Sequence, residues 1–390
     1  MKRVLMVLEV DFPPDIRVEK EAKTLIDNGY EVTVACFTKD KTKGDENYNG
    51  IHIKRKYIPT LTYKSSVGAL KYPLYFNFWR KYLNSILTNE KYDVIHVHDL
   101  PLAKVGSELA LKYNIPFVLD LHENYPYLLK DAQHINTPLG QIFFSFKQWL
   151  DYEKQMLDKA DVVLSVIEEQ KGRFVEVGAV EEKIFVLPNT PIIEDIELDR
   201  MPNRDPKFSF IYAGNIDSTR GLELTIDALK EIYVSNKDIS LKVIGDGKIL
   251  PNLKKYVEES GMSKAVEFLG WQPLSEIYRY LRKVDVALLP QLKNTNSDYG
   301  IPNKLFQYML AAKPVIASDC AAVKRIVKET RCGLIFKDRN VNSLREMLEF
   351  AIQNQARMIE MGKSGRAYVL SKYNWDATAQ NLIKAYQYIK

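Results

Sequence analysis

The stretch Asp298 to Asp319, DYGIPNKLFQYMLAAKPVIASD, decides the fold, because it reads as turn, helix, tight turn and strand in 22 residues. Gly300 breaks the preceding chain, and Pro302 suits the first turn of a helix, where its missing N–H leaves nothing unsatisfied. Leu305, Met309 and Ala312 share one face at helical spacing. Lys313-Pro314 stops the helix, and Val315-Ile316-Ala317 is a short apolar strand. A helix that begins just past a glycine aims free amides and a positive dipole end at whatever lies before it, and Lys304 in its first turn adds charge. Gly300, Asn303 and Lys304 are therefore candidates for holding an anion. The plain alternative is an ordinary helix–strand unit of an α/β sheet.

Two further stretches repeat the pattern. Phe208 to Tyr212 is an apolar strand that runs through Ala213-Gly214-Asn215-Ile216-Asp217-Ser218-Thr219-Arg220-Gly221 into the helix LELTIDALKEIY. Leu241 to Ile244 is followed by Gly245-Asp246-Gly247. Three strand-to-helix turns carrying glycine or a cation in one half of the chain suggest a diphosphate cradle, with Gly214, Asn215, Arg220, Gly245 and Gly247 on it.

In this order the segments AGNIDSTRGLELTIDAL, VIGDG, VEFLGWQP, VDVALLP and PNKLFQYMLAAKPVIASD resemble the C-terminal domain of a retaining glycosyltransferase of family 4. The N-terminal half matches more loosely, so the resemblance covers most of the chain. It implies the GT-B fold: α/β, with two Rossmann-like doubly wound parallel-sheet domains facing a cleft. It also implies a nucleotide-diphosphate sugar as donor substrate, with side chains instead of a resident metal or other cofactor. The acceptor it implies is a glycan, often lipid-linked.

Strands alternate with helices throughout, which argues independently for parallel sheets covered on both faces. Expected strands are Val4 to Leu8, Glu31 to Phe37, Ile51 to Lys56, Asp93 to Val97, Phe117 to Leu121, Asp161 to Ser165 and Ile184 to Leu187, with a first helix from Ile16 to Asn28. Pro191 to Pro206, rich in charge and proline, reads as a linker. The expected division is residues 1–190, linker 191–206 and residues 207–374, with a last helix over 375–390 that, as the resemblance implies, packs back on the first domain.

Composition narrows the class. The 390 residues are 46% hydrophobic, enough for two cores, and the net charge of +5 does not call for nucleic acid. Cys36, Cys320 and Cys332 form neither a metal motif nor a disulfide framework, which points to a reducing cytoplasm. The short apolar run after Met1-Lys2-Arg3 reads as a first strand and not as a signal peptide.

In open α/β sheets, active groups gather at the carboxyl ends of strands. His98 and Asp99, closing HVHD, stand there. That run also has a metal-ligand reading, which no second ligand cluster supports. His122 and Glu123 close the next strand. The resemblance gives His122 a contact with the donor sugar and its phosphate, and Glu123 binds a sugar hydroxyl or caps a turn. Arg17, after the first loop, is expected either to bring charge to the cleft, where many family members have two glycines that this chain lacks, or to be a solvated helix residue. Trp271 and Gln272 are expected to border the base pocket.

The chain also departs from the family pattern. Where the family has Arg and Lys five residues apart, Asn215 and Arg220 stand; where it has two glutamates eight apart, Tyr299 and Gln307 stand. Gln307 can still meet ribose hydroxyls through its amide oxygen, and Asp298 is the nearest substitute for the other carboxylate. These departures leave an active transferase, a GT-B nucleotide-sugar epimerase, or a binding subunit without catalysis. Finally, Lys54 to Tyr92 mixes Lys54, Arg55, Lys56, Lys64, Lys71, Arg80 and Lys81 with aromatic residues, among them Tyr75, Phe76, Trp79 and Tyr82, and QIFFSFKQWL at Gln141 to Leu150 is similarly aromatic. Such segments suit an anionic membrane surface; the alternative is helices packed into the core.

Overall fold

The computed structural model describes residues 1–131, 144–193 and 206–389. They form two compact units, Met1–Asn189 with Thr378–Lys390, and Thr190–Ala377. Most of the expected linker, and residues 141–143 of the second aromatic segment, lie outside the described residues.

The first unit is built on eight strands: β1 (Lys2–Leu8), β2 (Tyr30–Thr38), β3 (Glu46–Tyr48), β4 (Ile51–Tyr57), β5 (Val94–His98), β6 (Phe117–Leu121), β7 (Val162–Ser165) and β8 (Ile184–Val186). Their order is β3-β4-β2-β1-β5-β6-β7-β8. The neighbours run parallel except β3, which pairs antiparallel with β4 at the edge. The central strands are mostly apolar because helices cover both faces; Val4, Leu5, Met6 and Val7 of β1 are all fully buried.

The second unit carries β9 (Phe208–Ala213), β10 (Ile239–Ile244), β11 (Val266–Gly270), β12 (Val286–Leu289), β13 (Val315–Ser318) and β14 (Gly333–Phe336), in the order β11-β10-β9-β12-β13-β14. All its pairings are parallel. Two apolar clusters fill its core, one around Phe210, Ile226, Leu241 and Leu344, the other around Ile211, Tyr308, Met309 and Val369. In both sheets the strand order reverses beside the first strand, at β1/β5 and at β9/β12, which is where an open α/β sheet leaves a crevice.

The stretch that decided the fold needs one correction. Its helix is Asn303–Leu310, with Pro302 as N-cap, and Leu305 and Met309 are fully buried. Ala312 does not continue their face, because its φ of +53° places it in the turn beyond the helix end.

The aromatic residues of the basic segment are also corrected. Leu74–Asn89 is one helix whose Tyr75, Phe76, Trp79 and Tyr82 form its buried face, and Trp79 is completely enclosed. In the second aromatic segment, Trp149 on the helix Phe146–Lys159 is 2% exposed and belongs to the same core. Rings so placed cannot meet a membrane. The rings that do reach the surface are Tyr57, Tyr63 and Tyr72, beside Leu61 and Leu74.

The helix Trp375–Tyr388 ends the chain. The Tyr386 hydroxyl lies 2.8 Å from His96 Nδ1, and the Asn381 amide donates to the Val186 carbonyl at 2.9 Å. Both contacts lie within the first unit.

Candidate active site

In the second unit the candidate residues gather where β9 ends. Gly214 has a φ of +147°, and a Cβ there would collide with the Lys304 amine. The amine thus lies directly against backbone, 4.1 Å from the centroid of the Tyr212 ring. Burial pushes the Lys304 ammonium down to about 7, and the nearby Arg220 adds to the push. Tyr212 donates to the Asn215 carbonyl at 2.6 Å, and Tyr308 accepts the Ala213 N–H at 2.8 Å, so the turn is fixed from two sides. Tyr212, Gly214, Asn215, Asp217, Arg220 and Lys304 therefore make up one constellation.

Several expected roles change. Arg220 is not a bare cation: its Nε donates to Asp217 Oδ2 at 2.9 Å, and its Nη1 reaches Gln291 at 3.4 Å. The Asn215 amide is turned onto the same Asp217 oxygen at 3.0 Å. Gly245 and Gly247 are glycine for packing, since a Cβ on either would strike the Gly214 or Ile216 carbonyl oxygen. The loops after β9 and β10 continue the ladder there, through Gly214 N–H to Ile244 O at 2.9 Å and Ile216 N–H to Asp246 O at 2.8 Å. Asp298 accepts the Ala321 N–H at 2.8 Å through Oδ1, at the start of the helix Ala321–Thr330, and its Oδ2 lies 3.8 Å from the Lys293 amine. The Gln272 amide is held by the Leu269 carbonyl at 2.8 Å, while Trp271 beside it is 73% exposed. Tyr299 and Gly300 occupy the turn before the helix Asn303–Leu310, Asn303 is exposed in its first turn, and Gln307 is half-buried on it.

In the first unit the ends of β1, β5 and β6 converge. Arg17 is 4% exposed, neither solvated nor offered to a ligand. It grips Asp120 with two bonds, at 3.0 and 2.8 Å, donates to the Leu187 carbonyl at 2.9 Å and lies 3.0 Å from Glu21. His98 is likewise fully buried, with Nδ1 3.2 Å from Asp120 Oδ2 and its ring stacked on His96 at 4.4 Å. Sequence reasoning missed Asp120 and Glu21 as the centre of this network. Burial opposes the Asp120 charge, but Arg17, His122 and His98 outweigh it and hold the carboxyl well below its usual range.

His122 is the member of this network that reaches open space. Its Nε2 is 2.8 Å from Asp99 Oδ2 and its Nδ1 is 3.4 Å from Asp120 Oδ2. Burial works against its charge, yet the two carboxylates hold it well above the usual imidazole range. Asp99 sits at φ +65°, an unusual backbone for a residue other than glycine, and is pinned by its N–H to the Asp120 carbonyl at 2.8 Å. His122, Asp99, Glu123 and the unforeseen Glu9 border a cavity of about 620 Å³ that Tyr63, Tyr125 and Leu128 also line. Glu9 follows directly on the apolar run of β1; an acid at a strand's carboxyl end was its sequence signal.

Glu21, His96, His98 and Asp120 bring ligand atoms within 4.8 Å of one another, a grouping of metal-binding size. The Arg17 guanidinium lies 3.0 Å from both carboxylates and already supplies the cation. The donor set thus fits an internal arginine better than a divalent ion.

Comparison with known proteins agrees with this picture. The family described as Glycosyl transferases group 1 matches residues 207–354, and Glycosyltransferase Family 4 matches residues 16–190. This chain is a family 4, group 1 glycosyltransferase. It is 25% identical over 304 residues to an uncharacterized glycosyltransferase of Methanocaldococcus jannaschii, covering 78% of this chain and 77% of that protein. It is 22% identical over 225 residues to the amylovoran biosynthesis glycosyltransferase AmsK of Erwinia amylovora, covering 57% of this chain and 55% of that one. Among solved structures, the sucrose-phosphate synthase of Thermosynechococcus elongatus matches with a TM-score of 0.76 at 18% identity, over 99% of this glycosyltransferase and 98% of that chain. Anabaena HepE in complex with UDP matches with a TM-score of 0.73 at 15% identity, over 99% and 100%. These likenesses show the GT-B fold.

Proposed function

We propose that this glycosyltransferase moves a sugar from a nucleoside-diphosphate sugar, with retention at the anomeric carbon, to a glycan or lipid-linked acceptor during polysaccharide synthesis. The observation that carries the reading is the Lys304 amine lodged against Gly214 in the first turn of the helix Asn303–Leu310, with Arg220 close enough to lower its pKa. A departing nucleoside diphosphate gains negative charge as the glycosidic bond breaks. Fixed cations and helix amides aimed at it stabilise that charge more in the transition state than in the ground state. Binding of the diphosphate returns a full charge to Lys304 and draws Arg220 from Asp217 toward phosphate oxygens. Trp271 and Gln307 are assigned to the nucleoside end, and His122, Asp99 and Glu123 to the sugars. HepE binds UDP in its solved complex, and AmsK is named for amylovoran biosynthesis, which supports this donor and acceptor class.

A panel of nucleotide-sugars screened by thermal shift, followed by NMR of the transferred sugar's anomeric proton, tests the proposal. Arg220→Ala is expected to weaken nucleoside-diphosphate binding by about 1.5–3 kcal/mol, the scale of a hydrogen bond to a charged group. Unchanged affinity by calorimetry would remove Arg220 from the site, and an inverted anomer would overturn retention.

The same reading includes docking to an anionic membrane through the exposed Leu61, Tyr63, Tyr72 and Leu74 with neighbouring lysines. Among the described residues no helix is long and apolar enough to cross a membrane.

A further inference from the structure

Resting on the transferase reading, we infer that the saccharide received by the first unit meets its cavity with hydroxyl or ammonium donors and carries no carboxylate or phosphate there.

Three carboxylates reach the cavity from three strand ends: Glu9 after β1, Asp99 after β5 and Glu123 after β6. An ionised carboxylate only accepts hydrogen bonds. The Asp99 Oδ1 atom is shielded from water and has no hydrogen-bond partner among the described residues, so it lacks a donor. An acceptor so placed is costly, and a second anion brought beside it adds to the cost.

The cations present do not offset this. His122 has one ring nitrogen on Asp99 and the other on Asp120, at 2.8 and 3.4 Å, which leaves no ring N–H for an anionic ligand. Lys64 lines the cavity from the short helix Thr60–Lys64, but its side chain is exposed to water. The remaining acid of the lining, Asp15, is committed to the N–H groups of Arg17 and Val18.

The field inside shows in two groups. Burial, and then Asp99, pushes Glu9 up to about 7, although the Tyr75 hydroxyl donates to it. The Glu123 carboxyl, crowded by the walls even though the residue as a whole is exposed, is held above its usual range by burial first and Asp99 second. A cavity that resists its own ionised carboxylates will resist a further anion, and favours a group that brings hydrogens or positive charge.

Saturation-transfer NMR on the full chain tests this, with methyl glycosides of the gluco and galacto series carrying a hydroxyl, an amine or a uronic acid. The neutral and amino sugars are expected to bind, and the uronides to bind at least about tenfold more weakly at pH 7, a difference of about 1.4 kcal/mol. The double variant Glu9→Gln with Glu123→Gln should bring the uronides level with the neutral sugars. Val10→Trp, which fills the cavity from a half-exposed loop position, should remove the signal of every probe. Uronides bound as well as neutral sugars would overturn the inference, as would probe signals that survive Val10→Trp. A panel of nucleoside diphosphates titrated into the same samples reports on the second unit. Nucleotide binding without any glycoside binding overturns the inference and leaves the transferase standing; failure of every nucleotide removes the transferase reading itself.

Discussion

Lys304 is a residue whose best partner is an anion from outside. Its amine titrates near 7 in the folded chain and near 10.4 in an unfolded one. Between those values the unfolded chain binds more protons, so this group makes stability rise with pH; below 7 its penalty is fully present. Lys304→Met is therefore expected to raise the melting temperature at pH 6, by an amount that shrinks toward pH 10, while weakening nucleoside-diphosphate binding. Calorimetry at the two pH values measures the first effect, and a lower melting temperature at pH 6 would refute it. Gln307 offers a second single-residue test. If its amide meets ribose, Gln307→Glu should tighten nucleotide binding, because charge-assisted bonds are roughly twice as strong as neutral ones. A destabilised variant with unaltered affinity would remove Gln307 from the site. Arg17 shows why residue roles were the hardest to read. One of its two ionic partners, Asp120, lies 103 positions away, and the other, Glu21 one helical turn on, forms a pair as common on a solvated helix face as on a buried one.

At the scale of elements, the strands were legible because sheets covered on both faces need apolar runs. The short β3, sequence ENY, was missed, since a polar three-residue edge strand carries no such run. The segment Lys54 to Tyr92, which holds the helix Leu74–Asn89, left two readings open for its rings. Burial of Tyr75, Trp79, Tyr82 and Ile86 along one face settles them, with Lys81 turned outward. Trp79→Ala is expected to cost about 3–5 kcal/mol by denaturant unfolding; a loss under ~1 kcal/mol would contradict an enclosed ring. The turns make a sharper comparison. Gly29 has φ +84° with open space around it, whereas Gly245 has φ +135° and faces the Gly214 carbonyl. Gly29→Ala should cost roughly 1–2 kcal/mol for its backbone alone. Gly245→Ala adds a collision and should reach ~3 kcal/mol or more. Equal losses would mean that the ladder beyond β9 and β10 yields easily.

For the molecule as a whole, two expectations follow. Turnover should survive EDTA, because the described grouping of metal-binding size already holds Arg17; activity lost to chelation and restored by Mg²⁺ or Mn²⁺ would reverse that. The chain should also sediment with anionic vesicles, less so as salt rises, and Leu61→Ser should reduce sedimentation without moving the melting temperature. Equal recovery on neutral and anionic vesicles would end the membrane reading. The order of motifs along the chain made the fold and family legible, because each marks a successive strand of the second sheet or the turn beside it. The acidic cavity was not, since Glu9, Asp99 and Glu123 come from three separate strands and meet only once the sheet has formed.

The closing helix has a consequence for synthesis. His96 waits for a partner that leaves the ribosome 290 residues later. At about 5–20 residues per second that interval is roughly 15–60 s. During it the nascent first unit stands with β5 in place and the Tyr386 and Asn381 contacts still unmade. Translation that stalls in the second half would thus strand an incomplete first unit, a natural client for a chaperone.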